Sequence, residues 1–595
     1  MSWMLLLLWS AAVNAQVITS GPIVGGVTER SARIYVQTAA PRPFVLELSP
    51  DSTFAQNLTQ INDSTRSDKY ASVIVDLDGL PEFRRIFYRF RFDGATDTLF
   101  AARPYSFHTF PGPDDGESHL KIVVGSCNYF DNFPLFESVR RFDPHLFLHL
   151  GDWNYPPSAP GQGWDYNLYP DKRARSFALR YQDENMRRYV QPRCAVDYIY
   201  DDDWSQNGVQ GTSWPTTSYF RDSAGKVRHR YDTEFMDSAH RIGAIRAYVE
   251  HFPGYPLPDS AHGIYHKIRM GKTEFFVTDA RTTSTPQNWA YVLDTATGLW
   301  RFDPEALGEA HTLIGPVQRS WLVTGLENSA ADWRFIASGV VFNKRYREFI
   351  DGLMPVQEVE IPVAGRNETA GTYSAALAYN WAAYPVDLNA ILGLAQAGKL
   401  KKTVFLSGDS HSSAIDDGTN AGIPELMASG LAAGDEGYAN YYINQFTKLL
   451  LNKTVKEILW NRGGNGVDND NFADTYTTLE VFGKDSLRLR VVDELDQILS
   501  SFTLYDATTG RTSVPAREMT VVFPNPAKDR IHVQFARTPL PGDVLSLSTP
   551  DGVVVKKVVG PQVSETLSLS GLAKGVYFLR FNDGEARKIL VHPWD

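Results

Sequence analysis

The stretch DPHLFLHLGDWNY, residues 143–155, is the one on which the fold reading rests. Its apolar run, Leu146 to Leu150, stops abruptly at Gly151-Asp152, and Tyr155 follows three positions after the Asp. A short apolar run bounded by turn residues reads as a strand covered on both faces. Placing a carboxylate and a phenol together at its end raises the question of whether other strands stop in the same way.

Several do. LKIVVGS (120–126) is followed by Cys127, VDYIYDDD (196–203) runs into Asp201, Asp202 and Asp203, and TEFFVTDAR (273–281) ends in Asp279 and Arg281. TVFLSGDSH (403–411) ends in Asp409 and His411. WRFIASGVV (333–341) is a further strand, while PLFESVRRF (134–142), GPVQRSWLVTGL (315–326) and PVDLNAILGLAQAG (385–398) carry helical periodicity. Strands alternating with helices predict an α/β or α+β layered domain. In open sheets of that class the carboxyl ends of the strands form the ligand crevice. One Asp after a strand is ordinarily a turn former or a helix cap. A set of strands ending in thiol, carboxylate, phenol or imidazole is hard to explain by turn chemistry. Thiolate and phenolate suit a transition ion such as ferric iron, whereas carboxylates and side-chain amides suit calcium or magnesium. Two neighbouring cations can hold phosphate oxygens and generate a hydroxide nucleophile at neutral pH.

With 595 residues the chain is long enough for several compact units. Hydrophobic residues make up 43% and charged residues 21%, a globular composition. Lys plus Arg number 58 against 69 Asp plus Glu, and the net charge of -11 lacks the basic footprint of a nucleic-acid binder. MSWMLLLLWSAAVNAQ (1–16) reads as a secretory signal cleaved after Ala15, too short in its apolar run for a membrane anchor. No later segment is apolar enough to span a bilayer, so the mature protein is expected outside the cytoplasm. Residues 16–112 are rich in alternating strands such as ARIYVQT (32–38) and predict a small β-sandwich. FPGPDDGES (110–118) is a linker, the layered domain occupies 113–512, and 519–595 returns to strands punctuated by DG and NDG turns, which predict a small C-terminal β-sandwich.

The motifs GSC (125–127), GDWNY (151–155), YDDDWSQN (200–207), DAR (279–281), WLVTGL (321–326) and LSGDSH (406–411) resemble, in order, those of PhoD-like alkaline phosphatases. That family belongs to the calcineurin-like metallophosphoesterases and shares its site logic with purple acid phosphatases. SGPIVGGVTERSARIYVQT (20–38) resembles the Ig/fibronectin-like module that precedes the catalytic domain there. The resemblance implies an α/β metallophosphoesterase core of layered sheets flanked by helices. It implies an iron (Fe3+) site held by Cys127, Asp152, Tyr155 and His411, with Asp152 bridging to a calcium-like site faced by Asp202, Asn207 and Asp409. Other divalent metals are compatible with the same donors. Arg281 is the candidate for gripping phosphate oxygens, and Asp279 is either a ligand or the group that orients Arg281. The family's third motif carries a His where Asp203 stands here, which makes Asp203 the catalytic candidate at that place, and Tyr379 replaces an Asp two positions before Trp381. FPNPAKDRIHV (523–533) and GLAKGVYFLRF (571–581) resemble a type A sorting domain of the type IX secretion system. That implies export through the periplasm to the surface or medium, with the export machinery as a partner.

The expected function is a secreted phosphoesterase acting on phosphate monoesters, with diesters as a further class, by attack of metal-bound hydroxide. The rivals are a phosphodiesterase or phospholipase acting on lipid or polymer head groups, and a catalytically inert surface binding protein. Only two cysteines occur, and metal ligation by Cys127 excludes a disulfide with Cys194, which is expected as a free or buried thiol. His108, His145, His149 and His251 carry no role in this reading. The aromatic-rich stretches 161–170 and 287–302 read as loop packing or as pocket walls.

Overall fold

The computed structural model describes residues 17–56, 58–97, 105–128, 133–153, 168–200, 219–221, 223–229, 238–285, 290–353, 360–363, 366–369, 380–431, 439–467, 473–506, 519–523, 525, 527–535, 543–550, 553–581 and 587–591. The chain forms two compact units, Met1–Ser501 and Phe502–Asp595. The boundary falls earlier than the 513–518 gap expected from composition, inside the strand Ile498–Tyr505. Among the described residues no helix is long and apolar enough to cross a membrane.

The first unit begins with two antiparallel sheets. One holds Ile18–Gly25, Ala32–Thr38 and Ser72–Leu77; the other holds Pro43–Ser49, Thr59–Ser64, Arg85–Phe92, Ala95–Thr96 and Tyr105–His108. Alternation decides these strands: in RIFYRFRF every second side chain, from Ile86 to Phe92, is buried, as a period of two requires. Among the described residues no sheet mixes these strands with those that follow His119.

Two larger mixed sheets follow. The first places Ala195–Tyr198, Leu146–His149 and His119–Gly125 side by side in parallel, then Thr475–Phe482 and Ser486–Asp493 antiparallel. The second places Thr273–Val277, Trp333–Ser338, Thr403–Ser407 and Glu425–Ala428 in parallel, with His266–Met270 and Ser413–Asp416 antiparallel beside them. Each sheet packs helices on one face. Phe276, Ile336 and Phe405 share a core with Leu322, Leu326, Ile391 and Leu394 of the helices Gly315–Asn328 and Pro385–Gln396. Both helices open with a proline in the first turn, where its missing N–H costs nothing. Val123, Phe147 and Val196 share another core with Phe136 and Val139 of Phe133–Phe142 and with Tyr248 of Ser238–His251.

Because successive strand residues face opposite ways, Asp197 points away from the helices that cover Val196. Its Oδ2 meets Nε2 of His266 in the second sheet at 2.8 Å, with both side chains fully buried. This pair joins the two sheets across their inner faces. In the second sheet the fully buried Asp416 and Glu425 stand opposite each other across the Ser413–Asp416/Glu425–Ala428 ladder. Glu425 Oε1 accepts from Ser407 Oγ at 2.7 Å and from the Phe342 N–H at 2.9 Å.

The second unit has two antiparallel sheets, Met519–Phe523/Arg530–Phe535/Ser564–Ser568 and Val554–Val559/Val544–Ser548/Gly575–Phe581/Arg587–Val591. Both contribute to one core, with Ile531, Val533 and Leu567 from the first and Leu545, Leu547, Leu579 and Ile589 from the second.

Burial pushes the Glu425 carboxyl up to about 8 from 4.5, against the Ser407 and Phe342 hydrogen bonds and with the Asp416 charge adding to it. The folded chain therefore keeps a proton that the unfolded chain releases. Stability contributed here falls as pH rises between 4.5 and about 8, by up to about 1.4 kcal/mol per pH unit. Denaturant unfolding followed from pH 5 to 8 should show a shallower pH slope for Glu425→Gln than for the wild type. Equal slopes would mean that Glu425 ionises normally.

Candidate metal centre

Parallel pairing sets the first half of the site. Val124 is in register with Leu148, and Gly125 with His149. The pairing continues past both strand ends: the Cys127 N–H donates to Gly151 O at 3.2 Å and the Asn128 N–H to Asp152 O at 3.1 Å. This register sets Cys127 beside Asp152, with Sγ 3.4 Å from Oδ2.

The second half arrives from the other sheet. Gly408, just past Thr403–Ser407, lies so close to the first sheet that a Cβ there would meet Ser126 Oγ at 2.9 Å and Leu150 O at 3.0 Å. Glycine makes that approach without a shift in its neighbours. Ser126 Oγ donates to Ala428 O at 3.1 Å, and the Leu431 N–H donates to Ser126 O at 3.2 Å. Ser429, at the end of Glu425–Ala428, has its hydroxyl 3.0 Å from Cys127 Sγ and accepts the His411 N–H at 3.0 Å. The result is a cluster in which one ligand atom each of Cys127, Asp152 and His411 all lie within 4.8 Å of one another.

The backbone here is unusual. Cys127, Asp152, Asp409 and His411 have φ of 61°, 54°, 70° and 47°, a left-handed region that non-glycine residues seldom occupy. Such strain persists only where the surroundings enforce it, and it gathers at functional sites. Burial opposes ionisation of the Cys127 thiol, but the charge and hydrogen bond of His411, with a further bond from Ser429, hold it below its ordinary range despite Asp409.

Arg281 reaches the same rim, its Nη2 3.4 Å from Asp409 Oδ1. Asp279 does not join the cluster. Its fully buried carboxylate accepts the N–H groups of Arg281 and Thr282, both at 2.9 Å, the Ile264 N–H at 2.7 Å, and the Thr282 hydroxyl. A carboxylate engaged by four donors shapes the turn that carries Arg281. Of the two roles weighed for Asp279, the geometry favours orienting Arg281 over ligation.

Groups without a role in the sequence reading also hold the site. His149 is buried, and burial, with the Arg180 charge adding, pushes it down to about 3, so it is neutral. Its Nδ1 takes the Gly151 N–H at 3.3 Å and its Nε2 lies 2.7 Å from Asn128 Oδ1. The ring stacks on Trp153 at 5.1 Å. His149 thereby braces both strand ends that present Cys127 and Asp152. Asn128 Nδ2 reaches Asp183 at 3.3 Å, whose carboxylate also caps the helix Glu184–Tyr189. Ser429 and His149 gave no sequence signal because a serine in MASG and a histidine inside an apolar run are ordinary in themselves.

Tyr155, Asp201, Asp202, Asp203, Asn207 and Tyr379 lie outside the described residues, as does the segment 1–15. The three donors that converge are a thiol, a carboxylate and an imidazole, a set that fits a transition-metal ion.

The family described as PhoD-like phosphatase matches residues 122–471, and the family described as secretion system C-terminal sorting domain matches residues 521–592. Among solved structures, one titled "Structure of PhoD" is similar, with a TM-score of 0.56 and 17% identity over 85% of this chain and 93% of that one. A purple acid phosphatase, PPD1, from yellow lupin (Lupinus luteus) is similar with a TM-score of 0.41 and 12% identity, over 81% of this chain and 73% of that one. No curated protein matches the chain.

Both thiols are free and buried. Cys127 lies past the carboxyl end of its strand, whereas Cys194 precedes the amino end of Ala195–Tyr198 in the same parallel set. A four-residue strand separates those edges by about 13 Å, beyond disulfide reach. Burial also pushes the Cys194 thiol well above its ordinary range. Peptide mapping of denatured, unreduced protein should recover Cys127 and Cys194 as two unlinked thiols. A Cys127–Cys194 peptide would overturn the arrangement.

Proposed function

Because the chain belongs to the PhoD-like phosphatases, which are phosphoric ester hydrolases, and carries a sorting domain for export to the cell surface or beyond, we propose that it hydrolyses phosphate monoesters, and diesters more slowly, at a mixed iron/calcium centre. The observation that carries this reading is the meeting of Cys127, Asp152 and His411 from two different sheets. Those three residues would hold the iron, with Tyr155 as a fourth donor, and Asp202, Asn207 and Asp409 would face the calcium, which Asp152 would share. Bound ions of this kind supply a water of low pKa and neutralise charge on phosphate oxygens.

The chain's own groups do the rest. Arg281 would grip a phosphate oxygen, since a guanidinium matches that geometry in a bidentate manner. Asp409 and the Asp279 turn fix its direction before substrate arrives, so little ordering remains to be done on binding. Asp203, in the place of the family's histidine, would hand a proton to the departing alcohol. The inert binding-protein alternative does not fit a family of hydrolases.

Turnover of chromogenic monoester and diester substrates by the purified chain tests the proposal. Chelator should abolish hydrolysis, and Asp152→Asn should lower kcat by about a thousandfold, the scale of a lost charge-stabilising ligand. Hydrolysis unchanged by both treatments would rule out the centre as catalytic. Arg281→Lys keeps the charge and loses the fork, so an increase in KM of about tenfold is expected with a smaller effect on kcat. If KM is unmoved, Arg281 does not contact the substrate.

A further inference from the structure

At the other edge of the same parallel strands lies a cavity of about 430 Å³ whose wall holds four arginines, Arg85, Arg140, Arg141 and Arg193, and one carboxylate, Asp143. Asp143 precedes the strand Leu146–His149 and Arg193 precedes Ala195–Tyr198, whereas the metal cluster follows their carboxyl ends. At about 3.3 Å per residue the strands alone keep the two places about 13 Å apart.

We propose that this cavity is a second, non-catalytic site that takes a phosphate-type oxyanion. The volume lies in the range of small-molecule sites. Arg140 and Arg141 sit in the last turn of Phe133–Phe142, where the helix dipole favours cations. Arg85 comes from a strand of the N-terminal sheets and Arg193 from the turn before Ala195–Tyr198, so the dipole does not account for all four meeting.

Three of these arginines meet carboxylates at the protein surface. Arg85 pairs with Asp143 at 2.6 Å and Arg141 with Asp496 at 2.6 Å, in pairs that are open to solvent. Arg140 is only 3.5 Å from Glu137, and its buried Nε has no hydrogen-bond partner among the described residues. Solvent-exposed pairs of this sort are weak and can exchange a carboxylate for a ligand oxyanion. Arg85 Nη1 is also 3.3 Å from Ser106 Oγ, a hydroxyl on the same wall. The nearby His108 is pushed down to about 4, by burial first and then by the charge of Arg85, with Asp143 opposing. Guanidinium groups from three elements converging on one space match the several oxygens of a phosphate. Val139, Pro144, Tyr189 and Cys194 line the remainder and can cover an apolar substituent.

The site stands independently of the catalytic assignment, and its test is separate. Inorganic phosphate is titrated calorimetrically into the full-length Asp152→Asn chain with chelator present, which removes binding at the metal centre. A saturable component is expected, weakened at least tenfold by adding Arg140→Gln and Arg193→Gln and at least threefold by Arg140→Gln alone. The same arginine substitutions in the otherwise unaltered chain should leave the thermal midpoint and monoester turnover unchanged. Phenylphosphonate binding more tightly than phosphate would assign an ester-borne ligand, and weaker binding the free anion. No saturable component, or one indifferent to both arginine variants, would overturn the proposal.

Discussion

Two separate sheets have to deliver their strand ends into the same few ångströms, and one hydroxyl and one missing Cβ make that approach possible. Ser429 lies against Cys127 of the first sheet and holds the backbone of His411 from the second. Gly408 lets the turn carrying Asp409 pass against Ser126 and Leu150. Both contacts sit where strands stop, so neither disturbs a ladder. The left-handed backbone at Cys127, Asp152, Asp409 and His411 is the conformational cost of turning those side chains toward a common point.

The supports behind the rim are polar and buried, and each acts through hydrogen bonds to groups from elsewhere in the fold. Asp197 and His266 tie the sheets across their inner faces. Removing either would leave the other buried without that hydrogen bond, where an unsatisfied polar group is expensive. His149 works in its neutral form, because only then can one ring nitrogen accept from Gly151 while the other donates to Asn128. Asp279 is saturated by the turn it builds, which explains why a carboxylate at a strand end can stand near the Cys127–Asp152–His411 cluster without joining it. The arginine-lined cavity at the amino edge is built the opposite way, with its cations paired at the surface where solvent reaches them.

Strands and helices were legible because their signals are local. The alternation in RIFYRFRF, the apolar runs LFLH and TVFLS, and the prolines opening the helices at 315 and 385 each declare an element within a few residues. The donors Cys127, Asp152 and His411 stood out for the same reason, as reactive side chains immediately after buried strands. Asp279 carried an identical signal, yet its carboxylate is engaged by the turn around it. Its difference from Asp152 depends on Ile264, 15 residues earlier, and on the turn that Gln318 braces from 39 residues later.

By itself the sequence determined which segments become strands and helices and which chemical groups stand at their ends, since both follow from periodicity and residue type over short spans. The tertiary structure alone decided which of those groups meet, that Ser429 and His149 position them, and that four arginines from three elements face one cavity. The reason is physical: a side chain's role is set by the donors, charges and neighbours that reach it, and folding brings most of those from far along the chain.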